Sequence, residues 1–321
     1  MLERPIAPLV DALQQLGAAI QYIGKEGYPP ILINPPNQVC NTPVINIPAH
    51  ISSQFVSALL LVAPTLPQGI CVRLEGQVVS QAYIQMSLDL MQAFGIEIAI
   101  CKQRKQIYIP AQKYQARPWL VEADWSAASY YYSIMALSPE GSKIFLKGIQ
   151  LPSIQGDSVL AKLMEQFGVE TQPEGEGCWL CKKNNQPLPE FFSYDFIQAP
   201  DIAQTLAVLC AGLNIPARLE GLQTLQIKET ERITALHTEL TRLGAVVQSD
   251  AQSLDILQGI PLPLTELPSI RTYGDHRMAM AFAPLACILP AIRIENPNVV
   301  EKSYPDFWTD LELLGFKTNK K

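Results

Sequence analysis

Charge is scarce in this chain. Only 17% of its 321 residues are Asp, Glu, Lys or Arg, and the formal net charge is −6. Bulk charge therefore cannot hold nucleic acid or an anionic membrane surface, and any anion has to meet a local group of cations. Histidine is scarcer still: His50, His237 and His276 have no metal-spaced partners, so no metal site is expected. Long apolar runs are missing. The longest, Met278–Ile292, is broken by Pro284 and Pro290 and falls short of the ~20 residues of a membrane span. No secretory leader pattern follows Met1, and the chain reads as soluble and cytoplasmic. Paired cysteines are absent too. The seven (40, 71, 101, 178, 181, 210, 287) are odd in number and mostly embedded in apolar stretches, which reads as small core residues in a reducing compartment. Cys178-Trp-Leu-Cys181 has no second pair and a strand-like context, so neither zinc nor redox chemistry is expected there.

What the chain does have is hydrophobic mass, 48% of its residues, enough for about two domains. It also returns to one phrase, a short amphipathic helix ending in Leu/Phe-Gly before a β-prone stretch. The phrase closes at Gly17, Gly95, Gly168, Gly244 and Gly315, an internal repeat of about 75 residues. Each glycine stands where a helix C-cap needs the left-handed conformation. Earlier in each unit a helix rich in small residues opens, at Ser52-Ser-Gln, Asp124-Trp-Ser, Asp201-Ile-Ala and Asp275-His-Arg. Carried back from Gly17, the same offset falls before residue 1, so the sequence reads as N-terminally truncated. Strands are predicted at Val44–Ile47, Ile70–Leu74, Ile107–Ile109, Lys143–Leu146, Ala217–Leu219 and Ile292–Ile294, and loops at Pro29–Pro36 and Gln172–Pro189. The class is α/β, or α+β, built from repeats. The boundary is placed at Val121-Glu-Ala-Asp124, giving domains 1–121 and 122–321.

Two polar clusters interrupt the apolar pattern. In Tyr273-Gly-Asp-His-Arg-Met-Ala-Met280, a glycine, an N-cap (Asp275) and Arg277 precede an apolar helix, a layout suited to an anion at a helix N-terminus. A plain capped helix with a solvated arginine would look the same. In Ile227-Lys-Glu-Thr-Glu-Arg232, Thr230 is the predicted N-cap of a helix with apolar residues at Ile233, Leu236, Leu240 and Leu243. Arg232 in its first turn opposes the helix dipole, which points to an anionic ligand or to simple Glu–Arg pairing. Asp201 is explained by capping alone. Ser52-Ser-Gln54 and Ser80…Tyr83 offer hydroxyls and an amide at helix starts. Lys302 stands in a loop before the last helix.

The two clusters resemble the signatures of the EPSP synthase family, the 3-phosphoshikimate 1-carboxyvinyltransferases. Further matches run in the family's order: Glu3-Arg4-Pro5, Ser52-Ser-Gln-Phe55, Ser80…Tyr83, Glu122…Asp124, Pro200-Asp201 and Lys302…Pro305-Asp306. The resemblance implies a two-domain inside-out α/β barrel of six βαβαββ repeats, three per domain, with substrates in the cleft between domains and the first domain incomplete. It also implies transfer of the enolpyruvyl group of phosphoenolpyruvate to the 5-hydroxyl of shikimate 3-phosphate, with no cofactor, no metal, and a monomer when complete.

By that resemblance Arg4, Gln54, Arg232, Arg277 and Lys302 bind phosphoenolpyruvate, whose phosphate and carboxylate demand fixed cations. Ser52, Ser53, Gln54 and Ser80 hold the 3-phosphate, with Tyr83 near the ring. Glu229 is the acid or proton shuttle, Asp201 the base, and Lys228 assists at the sugar hydroxyls. The sequence departs from the family at Gln81 and Ala82, where a basic residue and a proline are usual, and at Thr224, where some members carry Asn. The family's G-S-K-S and G-N-A-G-T segments do not occur. The rival reading is a catalytically inactive fragment that binds anions at most.

Overall fold

The computed structural model describes residues 4–35, 44–49, 52–264, 266 and 269–319. Glu3, Pro36, Cys40 and His50, named above, lie outside them. The chain divides into two compact units: one runs to Leu120 and takes in Ile154–Gly156, the other holds Val121–Ser153 and Asp157 onward.

The first unit begins with α1 (Ala7–Gln15) and an antiparallel pair, β1 (Ala19–Tyr22) and β2 (Ile31–Asn34). The loop expected at Pro29–Pro36 is thus corrected. The prolines flank the β-branched Ile31 and Ile33 without interrupting them, and an outer strand tolerates such neighbours. A βαβαββ unit follows: β3 (Val44–Pro48), α2 (Ser53–Val62), β4 (Ile70–Glu75), α3 (Gln81–Ala93), β5 (Ala99–Cys101) and β6 (Gln106–Ile109). Its sheet has the order β3-β4-β6-β5, with β3 and β4 parallel and the other pairs antiparallel. Alternate residues Ile45, Ile47, Ile70 and Val72 are fully buried with Leu59, Leu60 and Leu88 of the helices, as the period of two requires.

The second unit opens with α4 (Trp125–Leu137), β7 (Lys143–Lys147), α5 (Leu160–Met164), β8 (Val169–Glu174) and β9 (Gly177–Lys182), the strands ordered β7-β9-β8. The predicted loop Gln172–Pro189 is therefore partly the hairpin β8–β9. β8 is an edge strand, free of the apolar alternation of an inner strand and able to accept Pro173. A second complete βαβαββ unit follows: β10 (Phe192–Asp195), α6 (Ala203–Gly212), β11 (Ala217–Glu220), α7 (Arg232–Arg242), β12 (Val246–Ser249) and β13 (Leu254–Gln258). Its order, β10-β11-β13-β12, and its strand directions repeat those of the first unit. Last come β14 (Ser269–Ile270), α8 (His276–Phe282), β15 (Arg293–Ile294) and α9 (Phe307–Leu313), with β14 and β15 parallel.

The five closing glycines all have φ between 76 and 96°. After four of them the next N–H reaches back to the last turn: Ala18 to Leu13, Ile96 to Met91, Ala245 to Leu240 and Phe316 to Leu311, at 3.0–3.1 Å. This double-bonded cap stops each helix and turns the chain into the following stretch. Every residue of α6 is buried, and its small residues, Ala, Gly and Cys, let α4 and α8 pack against it. Cys178, Cys181 and Cys210 are buried, Cys71, Cys101 and Cys287 half-buried, and all six are free thiols. Among the described residues, no helix is long and apolar enough to cross a membrane.

Candidate active site

Parallel pairing decides where the polar motifs surface. In each β-α-β-α run the chain leaves the carboxyl end of a strand and enters the N-terminus of a helix, and ligands of open α/β sheets bind at that end. After β3 this position holds Ser52-Ser-Gln54, and after β4 Ser80 and Tyr83. After β10 it holds Asp201, after β11 Lys228–Arg232, after β14 Asp275–Arg277 and after β15 Lys302. Nearly every predicted site residue occupies this one structural position.

In the first unit, Ser52 caps α2 by accepting the Gln54 N–H at 3.3 Å, and Ser53 is buried beside it. Ser80, φ 51°, precedes α3 without capping it through its side chain, and Tyr83 donates its N–H to the Ser80 carbonyl at 3.1 Å. Val79 N–H reaches the Ala49 carbonyl at 3.3 Å, stitching the two strand exits together. Arg4 lies in the same unit, just before α1.

In the second unit, six of the predicted residues meet in one ionic cluster, with Arg232 at its hub. Its side chain is 2% exposed, and Nε donates to Asp275 Oδ2 at 2.6 Å. Nη1 donates to Asp201 Oδ1 at 3.2 Å and Nη2 to Glu229 Oε2 at 2.9 Å. Arg277 Nη2 pairs with Asp201 Oδ2 at 3.2 Å, and Lys228 Nζ lies 3.6 Å from Asp201 Oδ1. Lys302 Nζ bonds Glu229 Oε1. Four cations thus face three carboxylates. The cluster's most buried members, Arg232 and Asp275, persist as charges only because they are paired.

Two expectations are corrected here, for Asp201 and Thr230, and a third, for Asp275, is extended. Asp201 does not cap a helix: it sits within the 3-10 turn Pro200–Ile202, which has no side-chain cap, and gives its carboxylate to three cations instead. Thr230 is not the N-cap of α7; Glu231 is, accepting the N–H groups of Ile233 and Thr234 at 3.2 and 2.7 Å. Asp275 does cap α8, accepting the Arg277 N–H at 2.9 Å, but it is fully buried and also anchors Arg232.

Burial pushes the Asp201 carboxyl up, but Arg277, Lys228 and Arg232 outweigh it and hold the group well below the usual carboxylate range. His276, buried beside the cluster, is pushed down to about 4, by burial first and by Arg277 and Arg232 in addition, against the opposing pull of Asp275. Its imidazole is neutral at pH 7.

Sequence reasoning missed two supports of this cluster. Tyr130 of α4 is fully buried, its hydroxyl pushed up to about 12 by burial, with the Arg277 guanidinium pulling the other way. Glu239 lies fully buried on the apolar face of α7. A charged residue among Leu236, Leu240 and Leu243 was the signal that could have found it. Tyr130→Phe is expected to lower stability by about 1–3 kcal/mol, because it takes a buried polar neighbour from the Arg277 guanidinium. Urea unfolding measures this, and an unchanged midpoint refutes it. At the position noted above for its departure, Thr224 Oγ1 is buried without a hydrogen-bond partner among the described residues.

The repeat architecture is that of the enolpyruvyl transferases. An EPSP synthase from Acinetobacter baumannii superposes with a TM-score of 0.73 at 20% identity, over 98% of this chain and 71% of its own. The enolpyruvyl transferase NikO from Streptomyces tendae follows at 0.69 and 16%, over 97% and 71%. The chain belongs to the EPSP synthase (3-phosphoshikimate 1-carboxyvinyltransferase) family, whose sequence profile matches residues 1–311. Curated 3-phosphoshikimate 1-carboxyvinyltransferases are similar along nearly the whole chain. That of Bacteroides fragilis is 44% identical over 316 residues, 98% of this chain and 76% of the relative. That of Cellvibrio japonicus is 38% identical over 314 residues, 96% and 71%.

Proposed function

We infer that the protein transfers the enolpyruvyl group of phosphoenolpyruvate to the 5-hydroxyl of shikimate 3-phosphate, releasing inorganic phosphate. Beyond family membership, the observation that carries this reading is the Asp201–Lys228–Glu229–Arg232–Arg277–Lys302 cluster. It offers fixed cations for a substrate with a phosphate and a carboxylate, and places two carboxylates on opposite donors of one guanidinium.

The chemistry needs one proton removed from the 5-hydroxyl as its oxygen bonds to C2, and one delivered to the methylene carbon. Loss of phosphate from the tetrahedral adduct then requires a proton to leave the new methyl group. Asp201 serves as acceptor at the hydroxyl. Glu229 delivers and retrieves the proton at carbon, with Lys302 beside it. Arg277, Lys302 and Arg4 bind phosphoenolpyruvate with Gln54. Ser52, Ser53 and Ser80 receive the 3-phosphate, Tyr83 lies against the ring, and Lys228 meets the sugar hydroxyls. Arg232 binds substrate only by sharing N–H groups that Asp201 and Glu229 now hold, so its first task is to fix those two acids.

A carboxylate held as low as Asp201 is a weak base while the cations face it alone. A substrate anion on Arg277 offsets part of that positive field, and the Asp201 pKa rises in the complex. The acid limb of the kcat profile is therefore expected at higher pH than that of kcat/KM for phosphoenolpyruvate, since the first reports the bound enzyme and the second the free one. Coincident limbs would remove Asp201 as the base. A coupled phosphate-release assay with both substrates tests the function itself. A folded protein releasing no phosphate above blank would favour a chain that binds anions without turning them over.

A further inference from the structure

Behind the cluster, a buried carboxylate grips the turn that presents Asp275 and Arg277. Glu239 stands two helical turns beyond Arg232 on the same face of α7, with its side chain fully buried. Its Oε1 accepts the Tyr273 hydroxyl at 2.7 Å, and its Oε2 accepts the backbone N–H of Arg271 at 3.2 Å and Arg242 Nη1 at 2.6 Å. Two of these three donors belong to the segment leading into α8.

That segment is strained. Asp275 N–H closes a turn onto the Thr272 carbonyl at 2.8 Å, and the central residues Tyr273 and Gly274 have φ of 54 and 71°. Positive φ at both central positions is the type I′ pattern, which belongs to Gly, Asn and Asp. A tyrosine there holds its Cβ against the following carbonyl, and such strain persists where surrounding contacts over-determine it. The turn has a demanding output. Asp275 must cap α8 through the Arg277 N–H and, with the same carboxylate, meet Arg232 Nε. α7 therefore holds the 271–275 segment at two levels, Arg232 at its exit and Glu239 at its entry.

We propose that Glu239 is a positioning residue which, through the Tyr273 hydroxyl, holds this strained turn in the conformation that sets Arg277 and Asp275 against Arg232, and so tunes affinity for the anionic groups of phosphoenolpyruvate. This rests on reading the cluster as the phosphoenolpyruvate site. Glu239 reaches the site only through the turn.

Tyr273→Phe removes one hydroxyl and leaves the ring in place. It is expected to raise KM for phosphoenolpyruvate about tenfold, the effect of one charge-assisted hydrogen bond, with kcat and KM for shikimate 3-phosphate within about twofold. Glu239→Gln keeps an acceptor for the hydroxyl and should fall between wild type and Glu239→Ala. The Glu239→Ala/Tyr273→Phe pair should be no worse than Glu239→Ala alone, because both remove one tether. Amide hydrogen exchange at 271–277 gives a readout independent of turnover. Tyr273→Phe should speed exchange there by more than in the rest of the chain, beyond what any fall in the urea midpoint accounts for. Should the wild type turn nothing over, the functional reading fails and exchange alone decides the tether. If exchange in 271–277 is unchanged in Tyr273→Phe, or if wild type turns over and KM for phosphoenolpyruvate does not move, the proposal is overturned.

Discussion

Arg232→Met is expected to lower stability by about 3–5 kcal/mol at pH 7.5, the cost of removing one partner from a buried ionic group. Methionine fills much of the aliphatic volume, so the loss isolates the guanidinium. That group holds Asp275, which is fully buried, together with Asp201 and Glu229. Without it Asp275 keeps the Arg277 N–H as a partner but has lost its counter-charge. The sign with pH follows. An unpaired buried carboxylate has its pKa raised, so at pH 5 the variant takes up protons in the folded state and part of the penalty disappears. The gap between variant and wild type should therefore be smaller at pH 5 than at pH 7.5. Urea unfolding at both values measures this. A loss under about 1 kcal/mol at pH 7.5 would mean that the three acids do not depend on Arg232.

Glu229→Gln is expected to reduce kcat by about 10²–10⁴-fold, the range for removal of a positioned general acid–base group, while dissociation constants for both substrates change by less than about threefold. The amide keeps the size of the carboxylate and one oxygen for Arg232 Nη2, now bonded at 2.9 Å, while its NH2 replaces the oxygen that meets Lys302, a half-exposed side chain that can turn to water. What it lacks is a proton to give or a charge to take one back. Single-turnover kinetics beside calorimetric binding separates the two effects. Wild-type turnover in this variant would move the proton transfer at carbon to another group.

Legibility of the fold followed how local each determinant was. The closing glycines, the apolar strands and the α7 pattern are written in windows of a few residues, and all five glycines adopt the required φ. β2 was hidden because prolines flank it, and the β8–β9 hairpin because β8 carries Pro173 and polar residues, which an edge position permits and a local reading takes for loop. The helix starts misled for a related reason. Capping rules favour Thr over Glu, yet Glu231 caps α7 while its neighbours Lys228, Glu229 and Arg232 turn to the cluster. Asp201 had a sufficient local explanation as a cap and was drawn off by three cations from distant sequence. The D-H-R and K-E-T-E-R motifs were visible as dense polarity before apolar runs. Their mutual contact was not, because Arg232 and Asp275 meet only through tertiary packing. Tyr130 and Glu239 left fainter traces, a hydroxyl and a charge among core residues.

The full pairing of Arg232 has a consequence for selectivity. The cluster carries its own counterions: Asp201, Glu229 and Asp275 are tethered in place. Chloride or another small monovalent anion has to compete with groups whose effective concentration no ordinary buffer matches. A ligand bearing two anionic groups can engage several of the cations at once and repay the displaced carboxylates. The cations are in this sense screened by the protein's own acids, and ambient salt should trouble them far less than it would a bare patch of arginines.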